Sequence, residues 1–300
     1  MNDKKSTTSP CAAKLRFTKM HGIGNDYVYF DCANGFPANP EALSVFLSDR
    51  HRGVGGDGII LICPSEIADF KMRIFNADGS EAKMCGNGSR CVGKYVYDFG
   101  LTEKRYVTLE TLSGVKYLTL MPGADGKIEA VTVDMGAPDL IPATIPVVAD
   151  SNINIPVEIN GKQMAVTAVS MGNPHGVIIV DDLDNTDIHG LGRQLEVHPM
   201  WPDRANIEFA QVLNRHEIRM RVWERGSGET QACGTGACAT AVAASLLGLV
   251  DKQDVTIHLL GGDLKISQDP ATGHVMMTGP ATTVFTGEVE IPAELQAPIV

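Results

Sequence analysis

Gly58–Cys63 (GIILIC) is an unbroken apolar run, the pattern of a strand buried on both faces. Phe70–Phe75 and Ile218–Trp223 alternate apolar and polar residues, which predicts strands with one face on a core. Val28–Phe30 and Val177–Val180 are short apolar runs after glycine-rich turns and read as strands too. Strand patterns return at Tyr106–Glu110, Val115–Leu120, Val131–Asp134, Val255–Leu260, Leu264–Ser267 and Val275–Thr278. The spacing turns helical in two places. Cys91, Val92, Tyr95 and Val96 mark one face of a helix, and Ala237–Leu249 is apolar on nearly every side, so that helix should be deeply buried. Gly100 and Gly248 stand where a left-handed C-cap is expected. The stretch Ala137–Pro156 holds four prolines and the strand-like Ile145–Val148, and predicts a partly structured crossing.

These elements occur twice. FNADGSEAKMCGNGSRC (75–91) aligns with WERGSGETQACGTGAC (223–238), each opened by an aromatic residue, Phe75 and Trp223. Glu81 and Glu229 each precede the cysteine of a Cys-Gly-x-Gly motif by four residues, and the offset is 233 − 85 = 148. At that offset Gly24-Asn25 meets Gly172-Asn173, Gly100 meets Gly248, Val107-Thr108-Leu109 meets Val255-Thr256-Ile257, and Gly114 meets Gly262. Several pairs in one order at one offset indicate an internal duplication. The expected fold class is α/β (α+β), two pseudo-symmetric domains of about 120–140 residues, each strand-rich around one central helix. The expected division is a flexible tail over 1–13, an N-terminal domain of 14–134 with 281–300, and a C-terminal domain of 135–280.

The chain has 300 residues, 44% hydrophobic and 20% charged, an ordinary globular composition. A net charge of −11 argues against nucleic acid as partner, because such affinity rests on Lys and Arg. No apolar run reaches the length of a membrane span, and the polar start MNDKKSTTSPCAAK lacks the apolar region of a secretory signal. The expectation is a cytoplasmic protein. Its seven cysteines (Cys11, Cys32, Cys63, Cys85, Cys91, Cys233 and Cys238) are odd in number, which disfavours a disulfide framework.

Each Cys-Gly-x-Gly follows a strand and opens a helix. A helix N-terminus presents free N–H groups and partial positive charge, and glycines let an anion approach them closely. A thiolate there should be stabilised below the free thiol value of about 8.5. Two such helices facing one cleft make an anion cradle with Cys85 and Cys233 on either side. That is the arrangement for inverting a stereocentre: one thiolate removes a proton, the opposite thiol returns one, and the helix ends hold the charge that develops. Cys91 and Cys238 lie further into the helices and should face the core. Cys11, Cys32 and Cys63 have no evident role. The spacings Cys-x5-Cys and Cys-x4-Cys, without histidine among them, are not zinc spacings, so no metal is expected. In GVGGDG (53–58) a strand follows the glycines where a nucleotide loop needs a helix.

Asn76 and Glu224 hold equivalent positions, as do Gly58 and Asn206, so the halves are expected to hold different parts of one substrate. Arg225 has the bidentate geometry to clamp a carboxylate. His175 is read either as a group that orients or deprotonates a thiol or as a surface histidine.

KMHGIGNDY (19–27), FNADGSEAKMCGNGSRC, MGNPH (171–175), RANIEF (204–209) and ERGSGETQACGTGAC (224–238) together closely resemble diaminopimelate epimerase, over nearly the whole chain from about Lys14 to about Glu290. The resemblance implies cofactor-independent (PLP-independent) epimerisation of LL- to meso-diaminopimelate, in lysine and peptidoglycan precursor synthesis, by a homodimer of two pseudo-symmetric domains. It implies Cys85 and Cys233 as catalytic residues, with His175 and Glu224 assisting. Gly86-Asn87 and Gly234-Thr235 would cradle the reacting carboxylate. Asn25 and Glu224 would lie near the reacting ammonium, and Asn76, Asn173, Asn206 and Arg225 would hold the distal end. Some relatives carry a side-chain amide where this chain has Gly58. Proline racemase and hydroxyproline epimerase share the two-thiol design but not a substrate needing a distal shell. Phenazine-type isomerases lack the thiol pair. A thiol redox switch or binding protein is the non-enzymatic alternative.

Overall fold

The computed structural model describes residues 13–33, 35, 37, 39–292 and 295. The expected tail over 1–13 lies outside the described residues except for Ala13, which opens the first strand, and Cys11 lies outside them too.

The first half runs β1 (Ala13–Gly22), β2 (Asn25–Asp31), α1 (Pro40–Ser48), β3 (Gly58–Cys63), β4 (Phe70–Asn76), β5 (Glu81–Ala82), α2 (Gly86–Asp98), β6 (Tyr106–Thr111), β7 (Gly114–Pro122) and β8 (Ile128–Asp134). After the crossing and β9 (Ile155–Ile159) the same order returns: β10 (Lys162–Ser170), β11 (Pro174–Ile179), α3 (Ile188–Glu196), β12 (Asn206–Asn214), β13 (Glu217–Glu224), β14 (Gly228–Glu229), α4 (Gly234–Leu246), β15 (Val255–Leu259), β16 (Gly262–Gln268) and β17 (Val275–Pro280). β18 (Thr282–Ile291) is the last strand of the described residues. The helices obey the sequence offset to the residue, since 188 − 40 and 234 − 86 both equal 148.

The pairings form one continuous path. β1 lies against β18 and β2, β2 runs parallel to β3, β3 pairs β4, β4 runs parallel to β6, and β6, β7 and β8 follow antiparallel. The second half repeats this with β9 against β10, β11 parallel to β12 and β13 parallel to β15. β8 and β17 pair with each other and join the two series, with Val133 opposite Met277. Each series curves around its helix: α2 touches β1, β2, β7 and β8, and α4 touches strands from β10 to β17. One core holds both helices, including Cys91, Val92 and Val96 of α2 and Ala237, Cys238 and Ala243 of α4. Burying α4 on all sides suits its alanine-rich composition, because small residues let strands approach from every direction.

Two expectations change. Each half carries a second helix of nine residues, α1 or α3. The side chain of Asn39 caps α1 ahead of Pro40, and Asp187 caps α3. In α3, with two glycines in nine residues, packing of Leu191 and Leu195 into a core with Trp223 replaces intrinsic propensity. In the crossing, Ile145–Val148 forms no strand; Ile145 and Val147 are buried beside Ile155 and Trp201 while the backbone turns at Pro142–Pro146. Gly100 and Gly248 are left-handed (φ 74° and 71°) just past the caps of α2 and α4, as expected.

Candidate active site

Cys85 and Cys233 are the N-cap residues of α2 and α4. Both take extended backbone, and each sulfur accepts from the third helical amide: Gly88 N to Cys85 Sγ and Gly236 N to Cys233 Sγ, both 3.3 Å. The glycines after each cysteine pack closely against one methionine side chain. A Cβ on Gly86 would meet Met277 Cε at 2.6 Å, and one on Gly234 would meet Met277 Sδ at 3.0 Å. The same methionine therefore lies against both helix starts. Asn87 Nδ2 donates across the halves to Ala232 O (3.3 Å), the residue before Cys233. The two helix mouths face one place.

The surroundings of the thiols differ. The Cys85 thiol lies 3.3 Å from Asn25 Oδ1, which also accepts from Asn87 Nδ2 at 3.3 Å. Asn25 is held from behind, its Nδ2 donating to Asp57 Oδ2 (2.7 Å), while Arg50 pairs with Asp57 at 3.0 Å and with Asp26 at 2.7 Å. Cys233 Sγ lies 3.5 Å from Thr235 Oγ1, and Asn173 Nδ2 donates to the same hydroxyl at 3.4 Å. His175, fully buried, meets Glu208 Oε1 through Nδ1 (2.7 Å) and the Asn173 amide through Nε2 (3.1 Å). Its reading as a surface histidine is thus corrected: β11 is a central strand. The Glu224 carboxylate accepts from the Thr230 hydroxyl.

Burial governs the titration. It pushes the Cys85 thiol up, against the opposing pull of the Gly88 amide and the Arg90 charge. It pushes Cys233 well above the ordinary thiol value, with the Glu224 and Glu208 carboxylates adding to the rise. The expectation that helix N-termini alone hold both thiols below their free value is therefore overturned: desolvation outweighs the amide dipoles in so enclosed a place. Burial likewise raises the Glu224 carboxyl. Among the described residues, no three His, Cys, Asp or Glu side chains are grouped as metal ligands.

A diaminopimelate epimerase family model matches residues 17–141 and 167–284. A diaminopimelate epimerase of Acetivibrio thermocellus is 54% identical over 279 residues, covering 92% of this chain and 99% of its own. One of Methanococcus maripaludis is 50% identical over 279 residues, covering 92% and 100%. The chain belongs to the diaminopimelate epimerase family. The fold is wider than the family. A Bacillus anthracis phenazine biosynthesis protein shares it with a TM-score of 0.68 at 18% identity, covering 93% of this chain and 100% of its own. So does a probable proline racemase of Agrobacterium radiobacter, with a TM-score of 0.66 at 17% identity, covering 95% and 94%.

The residues that the diaminopimelate epimerase resemblance assigns fall into two groups. Asn25, Gly86, Asn87, Asn173, His175, Gly234 and Thr235 gather at the two helix mouths as described. A cleft of about 790 Å³ opens beside them, lined by Asn25, Tyr27, Arg50, Asp57, Asn76 and Glu224, among others. The distal shell is engaged differently from a ready clamp. Asn206 is buried; its amide donates to Pro174 O (3.1 Å) and its oxygen accepts Arg225 N (3.0 Å). Asn206 thus ties β11 to the end of β13. Arg225 is exposed, its guanidinium donating to Asp203 O at 2.9 Å, and Asn76 donates to Ser80 Oγ at 3.0 Å. Gly58 admits no side chain, because a Cβ would lie 2.1 Å from Phe75 O. Cys91 and Cys238 are fully buried in the core, as expected. Three charged residues escaped the sequence reading: Asp57, Glu208 and Arg90. The repeat held a signal for two of them, because at the 148-residue offset Glu208 stands opposite Ile60 and Arg90 opposite Cys238.

Proposed function

We propose that the protein interconverts LL- and meso-2,6-diaminopimelate without PLP, by proton transfer between the substrate α-carbon and the thiols of Cys85 and Cys233. The observation that carries this reading is the pairing of two N-cap cysteines at helix mouths that share Met277 and are bridged by Asn87. Membership of the family, with curated relatives at 50–54% identity, supports the substrate.

The chemistry follows from the geometry. The α-carboxylate binds where the amides of α2 and α4 converge, at Gly86-Asn87 and Gly234-Thr235. A thiolate on one side takes the α-proton, and the electron pair left on carbon spreads into the carboxylate. The helix N-termini stabilise that charge more strongly than the ground-state carboxylate, which lowers the barrier. The opposite thiol then delivers its proton to the other face, inverting the centre. The reverse direction exchanges the roles, so two equal residues serve both. The thiol pair supplies both the proton acceptor and the proton donor, so the cycle needs no cofactor. Asn25 and Glu224 orient the α-ammonium, and His175 and Glu224 assist proton movement at the thiols. Asn76, Asn173, Asn206 and Arg225 surround the distal amino-acid end, with Arg225 leaving Asp203 for the substrate carboxylate.

The reading extends to a cytoplasmic homodimer serving lysine and peptidoglycan precursor synthesis. Its two domains are 14–134 with 281–300, and 135–280, and the reacting cleft lies between them. The return of β18 to pair with β1 supports the assignment of the C-terminal segment to the first domain. Among the described residues no helix is long and apolar enough to cross a membrane.

Incubation in deuterium oxide tests the function. Deuterium should enter the α-carbon of LL-diaminopimelate as meso product forms, and none should enter proline. Exchange into proline alone would move the protein to the proline racemase type. Absence of exchange into either would leave a thiol redox or binding protein on this fold.

A further inference from the structure

Aligned by their 148-residue offset, the halves differ where buried charge sits: Arg90 corresponds to Cys238, Ile60 to Glu208 and Tyr27 to His175. Arg90 lies five residues beyond Cys85 in α2 and is fully buried. Its Nε donates to Pro280 O at 3.1 Å and its Nη1 faces Met277 Sδ at 3.8 Å, while Nη2 has no partner among the described residues. Glycines make room for it: a Cβ on Gly22 would lie 2.9 Å from Nη2, and one on Gly279 would lie 3.2 Å from Nε. A guanidinium stays charged at any ordinary pH, and burying one without a carboxylate is costly. Such a charge favours whichever neighbour can become an anion. The groups it faces are Cys85, Cys91, Cys238 and Tyr29. Cys91 and Cys238 are pushed up to about 11 and about 12, and Tyr29 well above its ordinary value. Only Cys85 combines that cation with a helix-end amide and partial exposure.

Cys233 faces the opposite surroundings. Glu208 comes from β12 beneath the helix mouth, where a Cβ on Gly236 would meet its Oε1 at 2.7 Å. Its Oε2 is buried with no partner among the described residues, and Oε1 is held by His175. Glu224 reaches Cys233 from β13, and its charge also reaches Cys85. The other groups near Cys85 are Tyr27, Tyr29, Cys91 and the Asn25 amide. Glu224 thus acts on both thiols, Arg90 on the first and Glu208 on the second.

We propose that Arg90 and Glu208 polarise the thiol pair, so that Cys85 ionises before Cys233 and the singly ionised, reaction-ready pair carries the thiolate on Cys85 and the proton on Cys233. The proposal rests on the two-thiol reading and assigns its starting state. In the first turnover the α-proton passes to Cys85 sulfur and the Cys233 proton passes to carbon, leaving Cys85 as thiol and Cys233 as thiolate. A proton then returns from Cys85 to Cys233 by way of solvent, and the starting state is restored. Arg90 and Glu208 touch no substrate; they are positioning residues for charge.

The test is alkylation of each cysteine by iodoacetamide across a range of pH, without substrate, read by peptide mass spectrometry. The plateau rate reports access and the midpoint reports ionisation, so the different burial of the two sulfurs does not confuse them. Cys85 should titrate at lower pH than Cys233. Arg90→Met should raise the Cys85 midpoint by about one pH unit or more and leave that of Cys233 in place, and Arg90→Lys should restore it. Glu208→Gln should lower the Cys233 midpoint alone. A Cys233 midpoint at or below that of Cys85 in the unmodified protein overturns the proposal, as does a Cys85 midpoint unmoved in folded Arg90→Met. If Arg90→Met does not fold, the wild-type order and Glu208→Gln decide. No diaminopimelate enters the assay, so a wrong substrate appears only in the deuterium experiment.

Discussion

Serine substitution separates what each cysteine does for its helix from what it does for the reaction. Each sulfur accepts one otherwise free helix amide at 3.3 Å, from Gly88 or Gly236. A serine oxygen makes the same contact, and an alanine makes none. An N-cap serine stabilises a helix over alanine by about 1 kcal/mol, with a range of about 0.5–2. Cys85→Ala should therefore be less stable than Cys85→Ser by about 1 kcal/mol, and the same difference should hold at Cys233. The Ala/Ala and Ser/Ser double variants should differ by about 2 kcal/mol, since the caps belong to separate helices. Activity should ignore this difference. A hydroxyl is too weak an acid to stand as a base near neutral pH, so serine and alanine variants alike should lose about 10²–10⁴-fold in kcat. Urea unfolding with a deuterium-exchange assay on the same samples reads both quantities. Equal stability of the serine and alanine variants would refute the capping role. A serine variant within tenfold of wild-type activity would refute the thiols as the proton-carrying groups.

Other outcomes follow from burial. Burial raises the Cys85 and Cys233 thiols, so under the proposed two-thiol mechanism kcat/KM should climb with pH and have its lower midpoint above the ordinary thiol value of about 8.5; a midpoint on the acid side of neutrality contradicts the desolvated site. Cys91 and Cys238 are raised from 9.0 to about 11 and about 12. Their stability contribution is complete below the unfolded value and is lost as pH rises, because the unfolded thiols ionise first. Each should remove about 1.4 kcal/mol per pH unit between the unfolded and folded values, and a Cys91→Ala, Cys238→Ala double variant should flatten that alkaline slope in urea titrations. Gly261, in the turn before β16, has no room for a side chain, since a Cβ would lie 1.9 Å from Ile23 O in the turn that leads to Asn25. Gly261→Ala should cost about 1–3 kcal/mol and also slow exchange by displacing Asn25; destabilisation with unchanged kcat would detach that turn from the site.

Most of the interior was legible from pattern. β3 coincides with the GIILIC run, and the alternation at Phe70–Phe75 and Ile218–Trp223 falls within β4 and β13. Helix α4 begins three residues earlier than its apolar run, because the Gly-Thr-Gly of the motif is itself the first turn. The outermost elements were not legible. β18 (TTVFTGEVEI) is largely exposed, and its partner β1 lies far away in sequence, with Ala13 opposite Ile291. Periodicity does not report that kind of pairing, which depends on how the ends of the curved sheet meet.

The cysteine pair was legible because duplication marks one position twice. The electrostatics around it were not. A helix N-terminus suggested acidic thiols, and burial of both sulfurs, with the Glu224 and Glu208 carboxylates adding to it at Cys233, reverses that sign. Arg90 and Glu208 show the same limit: each is an ordinary charged residue in its own motif, and its meaning comes from the absence of an equivalent charge in the other copy.

The most direct measurement follows meso product from LL-diaminopimelate in deuterium oxide with wild type, Cys85→Ala and Cys233→Ala side by side. Wild type should yield meso product labelled at the inverted α-carbon, and neither single variant should yield it. Labelled meso product from either variant at a rate near that of wild type would contradict proton transfer by two opposed thiols.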